Sequence, residues 1–517
     1  MEEEDSKMTS TSTLRELIEQ TKEKCLEWVK DINGETFFVD PLDQEEISAH
    51  YGASHAAVAF LILGMRNEDA DLEETGMKLL SSILNRWGTS SKLPGFHNDF
   101  NNFALCVAYG YVSGKHKELA ARIKEKVLTT ADSPHDTVNW VPMRWFVNKC
   151  RYDWTKEDKY QSACTACAGK IKSATYEDGF IDDRLPKGMS FNLQYDVATV
   201  AVLQYLRIHG EELDISKETG ALLNAVAPDG DINYLGRGTN QIFAWGLWLY
   251  LLASAGLEND LQKALGYCAD KIPVMLQKNN LMLNDWDGAE KYLWWDYHYC
   301  SVYTAHLLFW LVLAMEDIGK YSVAPVLSEA HDSGVEIVRK DGWFVATFAG
   351  RTEYLAERGP VIAAIGREGG RMFVKGTFGP WQGAFGRKYA FYDSVIKNFC
   401  GLLKVKTERD WSSNRILRKL IAGKAKDASL QFHPSFPVFQ ITISGKTLTI
   451  SFKASGDVNT GNLAFQNQPK RTELTVDGKS QMIAKIGSIR NQYTWVDLYQ
   501  SRQNAGNKWD IVMTSED

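Results

Sequence analysis

Residues 242–257 read IFAWGLWLYLLASAGL, the longest apolar run in the chain. It is shorter than the roughly 20 residues that cross a bilayer, and Gly246, Ser254 and Gly256 interrupt it. It reads instead as a buried helix, apolar around most of its circumference, and such a helix has to be covered on more than one side. Segments of the same kind recur at 54–65, 101–112, 196–208 and 301–315. Turn-rich breaks separate them: LPGFHND (93–99), ADSPHD (131–136), LPKGMS (185–190), APDGDINYLGRGTN (227–240) and NDWDGAEKYLWWD (284–296). Ten or more helices in antiparallel pairs, closing into a barrel or toroid, fit this better than a small bundle. No alternating stretch of useful length interrupts the helical part.

Beyond about residue 335 the period falls to two. WFVATFAG (343–350) follows an Asp341-Gly342 turn, and RMFVKGTFG (371–379) comes next. FQITISGKTLTISFKA (439–454) reads as a hairpin about Ser444-Gly445-Lys446, with Phe439, Ile441 and Ile443 on one arm and Leu448, Ile450 and Phe452 on the other. TELTVDGKSQ (472–481) carries a second Asp-Gly turn signal. The expected organisation is multidomain α+β: an (α/α) toroid over residues 1–330, then an antiparallel β-sheet domain over 331–517, arranged as a sandwich.

The composition supports a globular chain. Of 517 residues, 44% are apolar and 24% charged, which excludes a disordered or collagen-like protein. The net charge of −7 argues against nucleic acid as the main partner. It conceals an asymmetry: residues 331–517 hold 27 Lys+Arg against 17 Asp+Glu, and residues 1–330 hold 31 against 48. A basic sheet domain facing an acidic substrate accounts for this, as does simple attraction between the two parts. The eight cysteines are scattered and read as reduced, buried thiols; the Cys164/Cys167 pair lacks the partners of a zinc set. The first residues, MEEEDSKMTSTS, show no signal-peptide pattern. A cytoplasmic start, or a processed form that is secreted or virion-associated, is expected.

Polar and aromatic residues gather in the breaks and at the helix starts. GFHNDFNNF offers His97, Asn98 and Asn102, with Asp99 read as a helix cap. SPHDTVNWVPMRW offers His135, Asn139, Trp140 and Arg144 ahead of an apolar helix. EDGFIDDRLPKGMSFNLQYD leads to Asn192 and Tyr195, three apart and so on one helix face. APDGDINYLGRGTNQ supplies Tyr234, Arg237 and Gln241, without the lysine of a phosphate loop. WWDYHYCSVYTAH supplies Trp294, Trp295, His298, Tyr299 and His306, the last read as a satisfied core residue. Amides suit hydroxyls and flat rings suit pyranose faces, so a carbohydrate cleft is the leading reading.

NWVPMRW, DGFIDDRLPKGMSFNLQYD and PDGDINYLGRGTNQ, with the two-part architecture, resemble the polysaccharide lyases that join an (α/α) toroid to antiparallel sheet, of the heparinase II/III-like type. The resemblance implies β-elimination on a uronic-acid polysaccharide. It makes Asn139 the group that neutralises the uronate carboxylate and Tyr195, 56 residues later, the general base and acid, with Arg237 and His298 assisting. His97, Asn98, Asn102, Trp140, Asn192, Tyr234, Gln241, Trp294, Trp295 and Tyr299 are then substrate-binding candidates. The family's sheet-domain histidine has only His331 and His433 as counterparts. An acidic polysaccharide is the expected partner, with no membrane span; no cofactor or catalytic metal is expected, and a structural cation stays open. Two alternatives stand beside this: a glycoside hydrolase using two of Asp182, Asp183, Asp229, Asp231, Asp285, Asp287 and Asp296, and a glycan-binding protein without turnover.

Overall fold

The computed structural model describes residues 2–41, 50–86, 95–135, 137–188, 191–235, 242–277, 300–350, 359–378 and 438–453, and the strands at 462–465, 472–476, 479–481, 483–491, 494–501 and 508–514. Among these, six helices form an inner ring: α2 (Gly52–Asn67), α4 (Asn98–Val112), α6 (Val141–Thr155), α8 (Leu193–Ile208), α10 (Ile242–Ser254) and α12 (Cys300–Glu316). Each packs on the next, and α12 packs back on α2, so the ring closes. Five outer helices follow their inner partners: α3 (Ala70–Arg86), α5 (Lys117–Thr129), α7 (Asp158–Ala174), α9 (Ser216–Ala225) and α11 (Glu258–Gln277). The sixth outer place belongs to α1 (Glu2–Leu26), which packs on α12 and α11.

The burial pattern explains the sorting. Every residue of α10 is buried, and so is every residue of α8 except Ile208. In α7, by contrast, only Cys167, Ile171 and Ala174 are buried, a single stripe. Outer helices need one apolar stripe, whereas inner ones touch neighbours on both sides, a partner behind and the ring interior in front. That interior is filled low down by Phe103, Tyr205, Tyr250 and Trp310, with Tyr250 and Trp310 meeting edge to face at 4.9 Å.

Close backbone approach sets the α2–α3 pair. A Cβ on Gly64 would lie 2.3 Å from the Glu73 backbone nitrogen, and one on Gly76 would lie 2.6 Å from that of Leu61. Neither obstacle is a flexible side-chain end. Gly64→Ala is therefore expected to lower the thermal midpoint, although alanine is intrinsically the better helix former by about 1 kcal/mol. Gly110, exposed on α4 with nothing near its Cβ position, is the control. Gly110→Ala should raise the midpoint, and a fall there would refute the packing explanation.

One short hairpin departs from the all-helical expectation: β1 (Val29–Ile32) and β2 (Glu35–Phe38), turning through Asn33 and Gly34, both at positive φ. An Asn-Gly pair is a strong type I′ signal, but arms of four residues are too short for alternation to show.

The last helix leads into an extended strap across the outside of the ring. Gln204 Nε2 donates to the Tyr321 carbonyl at 2.8 Å, and the Val326 N–H donates to the Ser216 carbonyl at 2.9 Å. Asp332 accepts the Glu177 and Asp178 amides, and Asp178 in turn accepts the Ser333 amide and hydroxyl. The strap delivers a four-stranded antiparallel sheet of β3 (Val335–Lys340), β4 (Trp343–Gly350), β5 (Gly359–Arg367) and β6 (Arg371–Phe378), in sequence order. Asp341 and Gly342 turn its first hairpin, both at positive φ.

A second sheet orders β11 (Lys479–Gln481), β10 (Thr472–Val476), β14 (Lys508–Thr514), β8 (Thr447–Lys453) and β7 (Val438–Ser444). A third orders β12 (Ile483–Asn491), β13 (Thr494–Ser501) and β9 (Asn462–Phe465). All pairings are antiparallel, and the β7–β8 hairpin pairs Ser444 with Thr447 about Gly445 and Lys446, as its alternation suggests. The first two sheets meet at their turns, where Trp343 Nε1 donates to the Gly445 carbonyl at 3.0 Å and the Gly445 amide to Asp341 at 3.2 Å.

Candidate active site

Short turns join the first five inner helices to the outer helices that follow them, and α12 ends beside the end of α10, where the Gly319 N–H donates to the Ala253 carbonyl, so the inner helices all run in one direction. Their N-terminal ends therefore open at one end of the ring, together with the loops that enter them. Residues from all six gather there: Tyr51 and His55 at α2, His97 and Phe100 at α4, Trp140 ahead of α6, Tyr195 on α8, Phe243 on α10, and Tyr303 and His306 on α12. Their rings form a continuous lining. His97 lies 4.3 Å from His50 and 5.6 Å from Trp140; Tyr51 stacks on Phe100 at 4.2 Å. Phe243 links Tyr195 at 6.3 Å to His306 at 6.0 Å. The four-stranded sheet stands beside this mouth, with Phe348 stacked on Phe191 at 5.2 Å and Arg339 donating to the Val226 carbonyl.

Asn139 sits in a single 3-10 turn, Val138–Trp140, which packs against α8. The loop after α7 holds that turn through its backbone: Val138 N–H donates to the Asp183 carbonyl at 2.9 Å, and Asn139 N–H to Asp183 Oδ1 at 3.3 Å. The Asn139 side-chain amide makes no hydrogen bond among the described residues, and its Oδ1 is buried. A buried amide oxygen without a partner is costly in a folded protein and marks a place where a ligand or water is expected. Beside Tyr195, Asp196 is fully buried, and burial pushes its carboxyl well above the usual carboxylate range.

Asp99 takes another role than the expected helix cap. Its carboxylate accepts from Arg144 at 2.8 Å and from the Ser133 amide at 2.9 Å, while Arg144 also donates to the Ser133 and His135 carbonyls. The pair pins the loop that leads to Asn139. Burial pushes the Asp99 carboxyl from 3.8 up to about 6, against the opposing pull of Arg144. Because the folded value is the higher one, its contribution to stability is complete below about pH 3.8 and is lost as the pH rises through about 6. Asp99→Asn should flatten that slope in denaturant titrations run across the window; an unchanged slope would place the titration elsewhere.

The other expected binding residues divide. His97 and Trp140 line the mouth and are nearly buried. Asn98 is committed to structure, its Nδ2 donating to the Ala131 carbonyl at 2.8 Å. Asn102 lies deeper, fully buried, with both side-chain amide atoms unpartnered. Asn192 is the residue before α8 and is fully buried, below Tyr195 in accessibility. Tyr234 is buried: its hydroxyl donates to the Ala225 carbonyl at 2.5 Å and its ring meets Phe344 edge to face, so it braces the junction with the sheet. Arg237, Gln241, Trp294, Trp295, His298 and Tyr299 lie outside the described residues.

His306 is only half satisfied, since its Nδ1 is buried without a partner. Tyr51 and His55 belong to the mouth and were not among the expected residues, although HYGASH (50–55) before an apolar helix carries the same signature as the other breaks. Among the hydrolase carboxylates, Asp182 accepts the Tyr176 hydroxyl and the Arg184 and Gly188 amides. Asp229 accepts the Asp231 amide, and Asp231 accepts Asn233, Trp245 and Tyr267. Asp285, Asp287 and Asp296 are outside the described residues. No group of three or more His, Cys, Asp or Glu among the described residues could hold a metal ion, and no described helix is long and apolar enough to cross a membrane.

No family model matches the chain, and no curated protein does. Several solved structures are similar to it at low identity. One is a polysaccharide lyase, 13% identical, covering 60% of this chain and 97% of its own with a TM-score of 0.41. Another is the GH76A alpha-1,6-mannanase of Salegentibacter sp. HEL1_6, 12% identical, covering 58% and 99% with a TM-score of 0.42. A third is a glycosyl hydrolase family 88 protein of Bacteroides vulgatus, 13% identical, covering 59% and 98% with a TM-score of 0.41. The ring of six inner helices follows from the packing itself and does not depend on these likenesses.

Proposed function

We propose that the protein is a polysaccharide lyase that cleaves a uronic-acid polymer by β-elimination in the mouth of the ring. The observation that carries this reading is Asn139, whose side-chain amide is uncommitted on a turn held by backbone bonds, beside Trp140 and against the helix of Tyr195. The C5 proton of a uronate is hard to remove because the attached carboxylate is already negative. A donor to that carboxylate spreads the charge as the carbanion forms. Tyr195 as phenolate takes the C5 proton, the electron pair forms the C4–C5 double bond, the C4–O bond breaks, and the leaving oxygen takes a proton from the tyrosine. A reference pKa near 10 requires a cation beside that phenol, and Arg237 is the residue this reading assigns.

Hydrolysis is the second reading, but three of its candidate carboxylates, Asp182, Asp229 and Asp231, are engaged with turn amides and neighbouring side chains. The deciding assay incubates the protein with a panel of uronate polysaccharides. Growth of the ultraviolet band of an unsaturated uronate supports elimination. Reducing ends without that band support hydrolysis, and neither product supports a binding protein. The basic sheet segment gives a separate expectation: added salt should weaken polymer binding, since exposed charges are screened beyond about 10 Å at 0.1 M ionic strength. Salt-independent affinity would leave that charge no role in substrate binding.

A further inference from the structure

Just inside the mouth, two histidines lie together where α12 closes on α2. His55 is in the first turn of α2 and His306 in the second turn of α12; their ring centroids are 4.9 Å apart and both side chains are buried. Each has its tautomer set by a partner that can act in only one sense. The Tyr51 carbonyl can only accept, so His55 Nδ1, at 2.9 Å from it, carries the hydrogen and Nε2 is a bare lone pair. The indole of Trp310 can only donate, so His306 Nε2, at 3.1 Å, is the lone pair and Nδ1 carries the hydrogen. Burial pushes His55 down to about 3 and His306 well below its ordinary value, so both rings are neutral.

What remains is one acceptor, His55 Nε2, and one donor, His306 Nδ1–H, both buried and both without a partner. They make no hydrogen bond to each other, and the rings around them, Tyr51, Phe100, Phe243 and Phe309, offer no alternative at ring contacts of 4.5 to 6.1 Å. Native proteins rarely leave such groups unmet, and one oxygen set between the two nitrogens would satisfy both. The neighbouring helix α4 also carries a buried, unpartnered amide, that of Asn102.

We propose that His55 and His306 form a hydroxyl-binding site, in which one O–H group accepts from His306 Nδ1–H and donates to His55 Nε2. A cation does not suit the pair, since it needs two lone pairs and Trp310 holds one of them elsewhere. Water fills the site in the free protein. On the sugar-cleft reading given above, a hydroxyl of a ring bound in the mouth displaces it.

The test uses crystals of the full chain grown without additive and with D-glucuronate. An ordered oxygen within hydrogen-bond distance of both nitrogens is expected. A water in both arms supports the site and removes its link to the sugar cleft; a sugar hydroxyl in the second arm supports both. An empty gap, or a direct bond between the two rings, overturns the proposal. NMR of the ring nitrogens gives an independent reading on the unaltered protein: both histidines should be protonated at Nδ1 only, and His306 protonated at Nε2 overturns it. Finally, His55→Phe and His306→Phe should each lower the thermal midpoint, and the double variant should lose less than their sum. Strict additivity overturns the pairing.

Discussion

Tyr195→Phe is expected to cut elimination by roughly 100-fold to 10,000-fold, the usual worth of general acid/base action, with the fold intact. The ring is retained, and so is its parallel stack on Phe243 at 6.3 Å. Tyr195 lies at the start of α8, in the third position, where the backbone bond from its N–H to the Asn192 carbonyl does not involve the side chain. The loss should therefore fall on kcat and leave the substrate concentration dependence and the thermal midpoint nearly unchanged. Initial rates followed by the unsaturated-uronate band, beside a melting curve, measure both. Full activity in the phenylalanine variant would remove Tyr195 from the mechanism.

Asn139→Ala should lose about 100-fold to 1,000-fold in kcat, the effect of removing one preorganised donor to a developing anion. Stability should change little, because the bond that places the turn runs from the Asn139 backbone N–H to Asp183 and survives the substitution. Asn139→Asp is the sharper variant. It keeps the shape but sets a carboxylate against the substrate's own, so on an acidic polymer it should be worse than alanine. On the methyl-esterified polymer, where that repulsion is gone, the gap between the two variants should close. If the aspartate variant is no worse than alanine on the acidic polymer, Asn139 does not face the carboxylate.

Five segments read from the sequence as apolar on all sides, at 54–65, 101–112, 196–208, 241–255 and 301–315, are five of the six inner helices. Their legibility has a physical source: an inner helix has no solvent face on which to place polar residues. The sixth, α6, obscures the pattern because Arg151 and Asn148 are buried on it, with Arg151 donating to the Val127 and Thr130 carbonyls and to Asp132. Polar side chains facing inward to hold a loop cannot be told in a sequence from polar side chains facing out. The same ambiguity affected the site. Tyr234 and Asn98 have the residue types of a sugar cleft, but their donors are spent on the Ala225 and Ala131 carbonyls. Only the folded chain fixes which partner each donor meets. Tyr51 and His55 lie in HYGASH (50–55), directly ahead of an apolar helix, where histidine is more often part of a core than of a site.

The first helix of the chain completes the last pair of the ring. Leu14, Leu17 and Ile18 of α1 are buried, and Ser10 reaches Glu258 on α11, so the partners of α1 lie more than two hundred residues downstream. At a translation rate of about 5–20 residues per second, that helix leaves the ribosome tens of seconds before anything exists to cover its apolar stripe. Each later pair can fold against its predecessor as it emerges, but α1 cannot. During synthesis the apolar stripe of α1 therefore stays uncovered by its native partners until α11 and α12 emerge.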